Sequence, residues 1–173
     1  MMSKNSFDRY GGIVSLLAFC ILLVAVYKGN NKAPQIQQEV FPSFSQPSLI
    51  HTDRTFTEHD FLGKITLLHV WASWCQNCLS EQVQWEQIKA TWPHQLLGLN
   101  YKDNMSNARR WLMEHGNLFE DHIYDPIGEL GDKLGISGTP ETFLIDENGE
   151  IIYHFKGILN PSTYQDIILN AIP

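Results

Sequence analysis

Residues 65–81, "ITLLHVWASWCQNCLSE", pass from an apolar, branched run into an amphipathic one, with Cys75 and Cys78 at the junction. The first seven suit a short buried strand, whose side chains are apolar almost without interruption. Beyond Cys78, positions Glu81, Trp85, Ile88 and Trp92 recur at steps of three and four, the stripe of a helix that Pro93 ends. Cys75 therefore falls at a helix N-terminus, where unpaired N–H groups and the macrodipole stabilise a thiolate. It is the expected nucleophile. Cys78, on the adjoining face of the first turn, can attack a mixed disulfide formed at Cys75 and close an intramolecular bridge.

Two other readings of the pair are weaker. A metal centre needs two further ligands at suitable spacing, and the seven histidines are scattered, with no second Cys pair and no close His pair. A structural staple across so short a loop constrains little chain entropy, because the benefit grows with loop length. The third cysteine, Cys20, lies in the apolar run "GGIVSLLAFCILLVAVY" (residues 11–27), so the rest of the chain owns only one possible pair.

That run carries no charge over 17 residues, at the short end of what spans a bilayer as a helix. It ends in Val-Tyr-Lys, a poor cleavage site, so an uncleaved anchor is expected rather than a removed signal. Basic residues flank it equally, Lys4 and Arg9 before and Lys28 and Lys32 after, and charge alone does not orient it. The organisation expected is a tail over 1–10, an anchor over 11–27, a Pro- and polar-rich linker over 28–40 and one globular domain over 41–173. The net charge of −7 is concentrated in that domain, since residues 1–32 hold four Lys/Arg and one acid. An acidic body argues against nucleic acid as a partner.

Downstream, residues 96–100 ("LLGLN") read as a second strand, parallel to the first through the crossover helix. A helix follows over "NMSNARRWLMEHG", with Ala108, Trp111 and Leu112 on one face and Gly116 as its stop. "EDHIYDP" is a short strand and "IGELGDKLGI" a short helix. "ETFLIDENGEIIYHF" folds as two strands around Glu147-Asn148-Gly149, and "PSTYQDIILNAI" closes the chain as a helix opened by Pro161. The sum is an α/β fold, a mixed sheet covered by helices.

Three acidic or special positions surround the pair. Glu81 points where the stripe should be apolar. It is either a partly desolvated acid with a raised pKa, able to exchange a proton with Cys78, or an edge residue reaching solvent. Thr139-Pro140 precedes a strand beginning at Glu141. The proline either starts that strand or, as a cis bond, presents neighbouring backbone to an extended partner. His69, six residues before Cys75, is a strand histidine hydrogen-bonded in the core or a group that tunes proton transfer.

"WASWCQNC" followed by "GTPETFLID" resembles the thioredoxin superfamily. "GLNYKDN", "GISGTPETFLIDENGEI" and "GILNP" together resemble its membrane-anchored DsbE/CcmG branch over about residues 40–173. The resemblance implies a thioredoxin fold with an inserted helix and strand, preceded by one transmembrane helix, in the inner membrane with the domain on the periplasmic side. It implies Cys75 and Cys78 as the redox pair, Pro140 as the cis-proline with Thr139 beside it at the substrate, and Trp74, Glu81 and Glu141 as residues that modulate the site. It further implies a monomeric dithiol reductant, without cofactor or metal. Its partners would be apocytochrome c or a CcmH-type maturation protein, with electrons arriving from a DsbD-type membrane reductase. The chain departs from the pattern in enclosing Gln76-Asn77 where a proline is usual. A general periplasmic oxidase or isomerase and a non-enzymatic metal-delivery module remain as alternatives. The lack of a histidine between the cysteines, with two carboxylates nearby, favours the reductant.

Overall fold

The computed structural model describes residues 39–171. The expected anchor over 11–27, Cys20 within it and most of the linker lie outside the described residues. Among the described residues, no helix is long and apolar enough to cross a membrane.

Six strands form one mixed sheet: β1 (Glu39–Val40), β4 (Thr66–Trp71), β5 (Gln95–Tyr101), β6 (Asp121–Asp125), β7 (Glu141–Ile145) and β8 (Glu150–Lys156), in the order β1-β8-β7-β4-β5-β6. β4, β5 and β6 run parallel, and β7, β8 and β1 pair antiparallel. A separate ribbon joins β2 (Ser45–Pro47) to β3 (Thr55–Thr57). The helices are α1 (Gln76–Ser80), α2 (Gln82–Thr91), α3 (Met105–His115), α4 (Glu129–Lys133) and α5 (Pro161–Ala171). This is a thioredoxin-like arrangement in which α3 and β6 are the insertion expected from the long segment after β5.

Alternation along β4 divides the core between the two faces of the sheet. Leu68 and Val70 join Phe41, Phe56, Phe61, Leu99 and Phe143 on one side. Leu67 joins Trp85, Ile88, Trp92 and Leu144 on the other. The helical stripe is therefore real, but the helix is not continuous. Glu81 (φ −85°, ψ −7°) separates α1 from α2 and keeps its side chain inside.

Residues 39–57 carry more structure than their composition suggests. Val40 pairs with Glu150, Phe41 and Phe44 are buried, and Phe56 is fully enclosed. The last two residues of the segment read as a linker are a strand. A tether-like composition concealed three phenylalanines that only tertiary contact could place.

β5 needs glycine at its centre. A Cβ on Gly98 would stand 2.1 Å from His122 Nδ1. The ring that fills this space accepts a hydrogen bond from Trp71 Nε1 at 2.9 Å. Its proton is therefore on Nε2, which donates to Asn117 Oδ1 at 3.0 Å.

Burial holds both His122 and His69 neutral, with pKa values pushed down to about 3. The unfolded chain protonates both below about 6.5, so the stability they contribute is present above that pH and is lost as pH falls. Glu81 has the opposite sign. Its pKa is raised to about 7, so its contribution is present below about 4.5 and is lost as pH rises through 7. Between pH 4.5 and 6.5 two histidines outweigh one acid, and unfolding free energy should fall by about 1.4 kcal/mol per unit of acidification. Denaturant midpoints across that window check this, and a midpoint that does not move would show that the histidines are not held neutral.

Candidate active site

The segment 72–75 turns the chain from β4 into α1. The Cys75 N–H donates to the Ala72 carbonyl at 3.1 Å, and Cys75 becomes the N-cap of α1. Its Sγ accepts the Cys78 N–H at 3.0 Å, a hydrogen bond equally available to a thiolate. Cys75 and Cys78 form a disulfide, with Cα atoms 5.3 Å apart and relative exposures of 5% and 2%. The edge of the bond on the Cys75 side is the more open.

A carboxylate fixes this turn from the neighbouring loop. Asp103 accepts from the Ser73 N–H at 2.6 Å, the Ser73 hydroxyl at 2.8 Å, Asn100 Nδ2 at 3.1 Å and the Asn104 N–H at 2.7 Å. Beside it, Lys102 adopts a left-handed φ of 47°, and its carbonyl accepts Trp74 Nε1 at 3.0 Å. Trp74, beside Cys75 in the chain, is thereby tethered to the Lys102 loop while 55% exposed. The sequence does not mark Asp103, because Ser73, the partner that ties it to the redox turn, is 30 residues away. The only local signal was the Asp-Asn pair before α3.

The antiparallel register of β4 and β7 pairs Val70 with Glu141. One step further along each strand, Pro140 comes opposite the end of β4, where the turn to the disulfide begins. The Thr139–Pro140 bond is cis. The expected substrate loop and the redox pair thus meet at the same edge of the sheet.

The two acids separate in role. Glu141 is buried but fully engaged. Oε1 accepts from the Ser137 N–H and hydroxyl, each at 2.9 Å, and from the Gly138 N–H at 3.1 Å, while Oε2 meets His154 Nε2 at 2.6 Å. Burial pulls its pKa upward, but the hydrogen bonds from His154 and Ser137, with Lys156 nearby, outweigh it and hold the carboxyl below its ordinary value. Its hydrogen bonds shape the loop leading to Pro140.

Glu81 instead turns toward the cysteines. Oε1 accepts the Leu159 N–H at 2.5 Å, Oε2 has no hydrogen-bond partner, and 3.8 Å away lies His69 Nε2. A donor atom from each of His69, Cys78 and Glu81 lies within 4.8 Å of the others, and all three residues are buried. Burial raises the Glu81 pKa to about 7, only partly offset by the Leu159 N–H and the Trp85 side chain, both of which favour the carboxylate. His69 packs against Trp85 and Phe119, with ring centroids at 4.4 and 5.5 Å, and its Nδ1 has no partner. It is a core histidine, though not a hydrogen-bonded one at that nitrogen.

Such a site can do one kind of chemistry well: an attacking sulfur at the rim, a resolving sulfur behind it, and a buried acid near neutrality beside the second. Known proteins agree with this. The Redoxin family's sequence profile matches residues 32–168. A protein of Pasteurella multocida named thiol:disulfide interchange protein DsbE-2 is 39% identical over 162 residues, covering 91% of this chain and 84% of the relative. The thiol:disulfide interchange protein DsbE of Escherichia coli K12 is 42% identical over 129 residues, 73% of this chain and 69% of the relative. Among solved structures, a DsbE of Chlorobium tepidum superposes with a TM-score of 0.66 at 24% identity, covering 76% of this chain and 95% of that one, a likeness of fold. A Neisseria meningitidis protein described as a thioredoxin gives 0.66 at 26% identity over 79% of this chain and 94% of its own. Fold, redox pair and relatives spanning most of both sequences place this chain in the Redoxin family among the DsbE thiol:disulfide interchange proteins, as a thiol-disulfide oxidoreductase.

Proposed function

We propose that the protein is a periplasmic dithiol reductant of cytochrome c maturation, tethered to the inner membrane by residues 11–27. The observation that carries the reductant reading is Glu81, a buried acid with a pKa of about 7 near Cys78. In the reductive half-cycle the Cys75 thiolate attacks one sulfur of a partner disulfide, releasing the other as a thiol and forming a mixed disulfide. Cys78 then attacks Cys75 Sγ, Glu81 takes its proton, and the partner leaves with both sulfurs reduced. Two electrons pass to the partner and the Cys75–Cys78 bond closes.

The cis Thr139–Pro140 step and the Glu141-braced loop before it offer backbone to an extended chain beside Cys75. A protein disulfide is therefore the substrate class, with apocytochrome c or a CcmH-type protein as the partner and a DsbD-type reductase as the source of electrons. Deleting the gene should lower covalently bound haem c, and added small-molecule thiol should restore it, because electron supply is what is lost. An oxidase or isomerase would show the reverse: normal haem c, with secreted proteins under-oxidised and added thiol making matters worse. Alkaline phosphatase fused after Pro173 should be active if the domain is periplasmic, and an inactive fusion would overturn the location.

A further inference from the structure

We propose that the dithiol form of this protein binds one zinc ion through Cys78 Sγ, His69 Nε2 and Glu81 Oε2, with the fourth position on the Cys75 side. The three residues have no metal-ligand spacing in the sequence, but the fold brings them together: β4 carries His69 and the α1–α2 break carries Glu81 to the same sulfur.

Two observations support the site. The donor atoms lie within 4.8 Å of one another, and His69 Nε2 and Glu81 Oε2 are 3.8 Å apart. A tetrahedral zinc with bonds of about 2.0–2.3 Å has donor–donor edges of about 3.3–3.8 Å, so small movements close it. By hydrogen-bond geometry Glu81 Oε2 has no partner although its residue is only 1% exposed; the Trp85 side chain stabilises the carboxylate from nearby without closing a bond to that oxygen, which is left with lone pairs that a cation could take.

Charge selects the ion. A divalent cation with one thiolate, one carboxylate and a neutral imidazole sums to zero, the state that a buried site tolerates best. Mixed sulfur, nitrogen and oxygen donors suit zinc. On binding, the Cys78 thiol proton and the Glu81 proton leave to solvent and no electron moves. The disulfide form has no thiolate to offer, so binding is gated by redox state. An occupied site would hold the protein as a dithiol and block resolution by Cys78.

The proposal rests on the pair's cycling between disulfide and dithiol, which thiol titration of the same samples scores independently. Full-length protein in both forms, kept anaerobic, is titrated with zinc against a chromophoric chelator. The dithiol form should take up one equivalent and the disulfide form none. His69→Asn and Glu81→Gln should each weaken uptake at least tenfold. X-ray absorption at the zinc edge of the unsubstituted protein should show sulfur together with nitrogen and oxygen neighbours, including imidazole. Equal affinity in both variants, an all-sulfur shell, uptake by the disulfide form or no uptake at all would overturn the site.

Discussion

Cys78→Ser is expected to accumulate a mixed disulfide between Cys75 and its protein partner, while Cys75→Ser accumulates none, and both variants lose turnover entirely. The asymmetry follows from exposure and from the N-cap. Cys75 is the more accessible sulfur and receives the Cys78 N–H, whereas Cys78 is enclosed beside His69 and Glu81. An incoming disulfide therefore meets the Cys75 sulfur first. Without Cys78 the covalent complex has no internal resolving thiol and persists. Non-reducing electrophoresis of both variants from cells reads this directly, and equal trapping by the two would refute the assignment of roles.

The second large effect is expected at Glu81. Glu81→Gln keeps an oxygen for the Leu159 N–H and nearly the same volume, so the α1–α2 break and the core around it should persist. What is lost is the carboxylate near Cys78. Resolution of a preformed mixed disulfide should slow about 100-fold near neutral pH, the usual scale of a positioned proton acceptor. The unsubstituted protein should resolve faster as pH rises through about 7, where Glu81 becomes the base, and the variant should lack that inflection. Glu141→Gln should leave the inflection in place, because its carboxylate is committed to Ser137, Gly138 and His154. Identical profiles in the protein and in Glu81→Gln would make Glu81 a packing residue only.

The parts legible in the sequence are those set by local pattern. The apolar run before Cys75, the stripe through Trp85 and Ile88, the turn at Asn148-Gly149 and the closing helix at Pro161 each state their own period or their own stop. Together they foresaw the order of elements from β4 onward and the position of the cysteines at a strand–helix junction. Thr139-Pro140 was legible as a special bond, and the cis peptide agrees with it.

What escaped depends on contacts distant in sequence. Asp103 holds Ser73 across 30 residues. Phe41, Phe44 and Phe56 lie in a segment whose polar composition masks its aromatics. Glu81 and Glu141 look alike on paper as acids near a redox pair, yet one is left unpaired at Oε2 near a sulfur and the other is saturated by a loop. His69 could be placed on the strand but not beside Cys78, because the two meet only when the helix that carries Cys78 packs against β4. Side-chain pattern fixes which face a residue occupies, and only tertiary packing fixes what it meets there.

The direction of electron flow is read from the redox state of the pair in living cells. Rapid acid quenching of growing cells, followed by alkylation with a mass-tagged maleimide, reports the redox state of Cys75 and Cys78 in place. A reductant fed by a membrane reductase should be found mainly as the dithiol, and should shift to the disulfide when that reductase is removed. A pair found mainly as the disulfide in otherwise unaltered cells, and unmoved by loss of the reductase, would contradict the account.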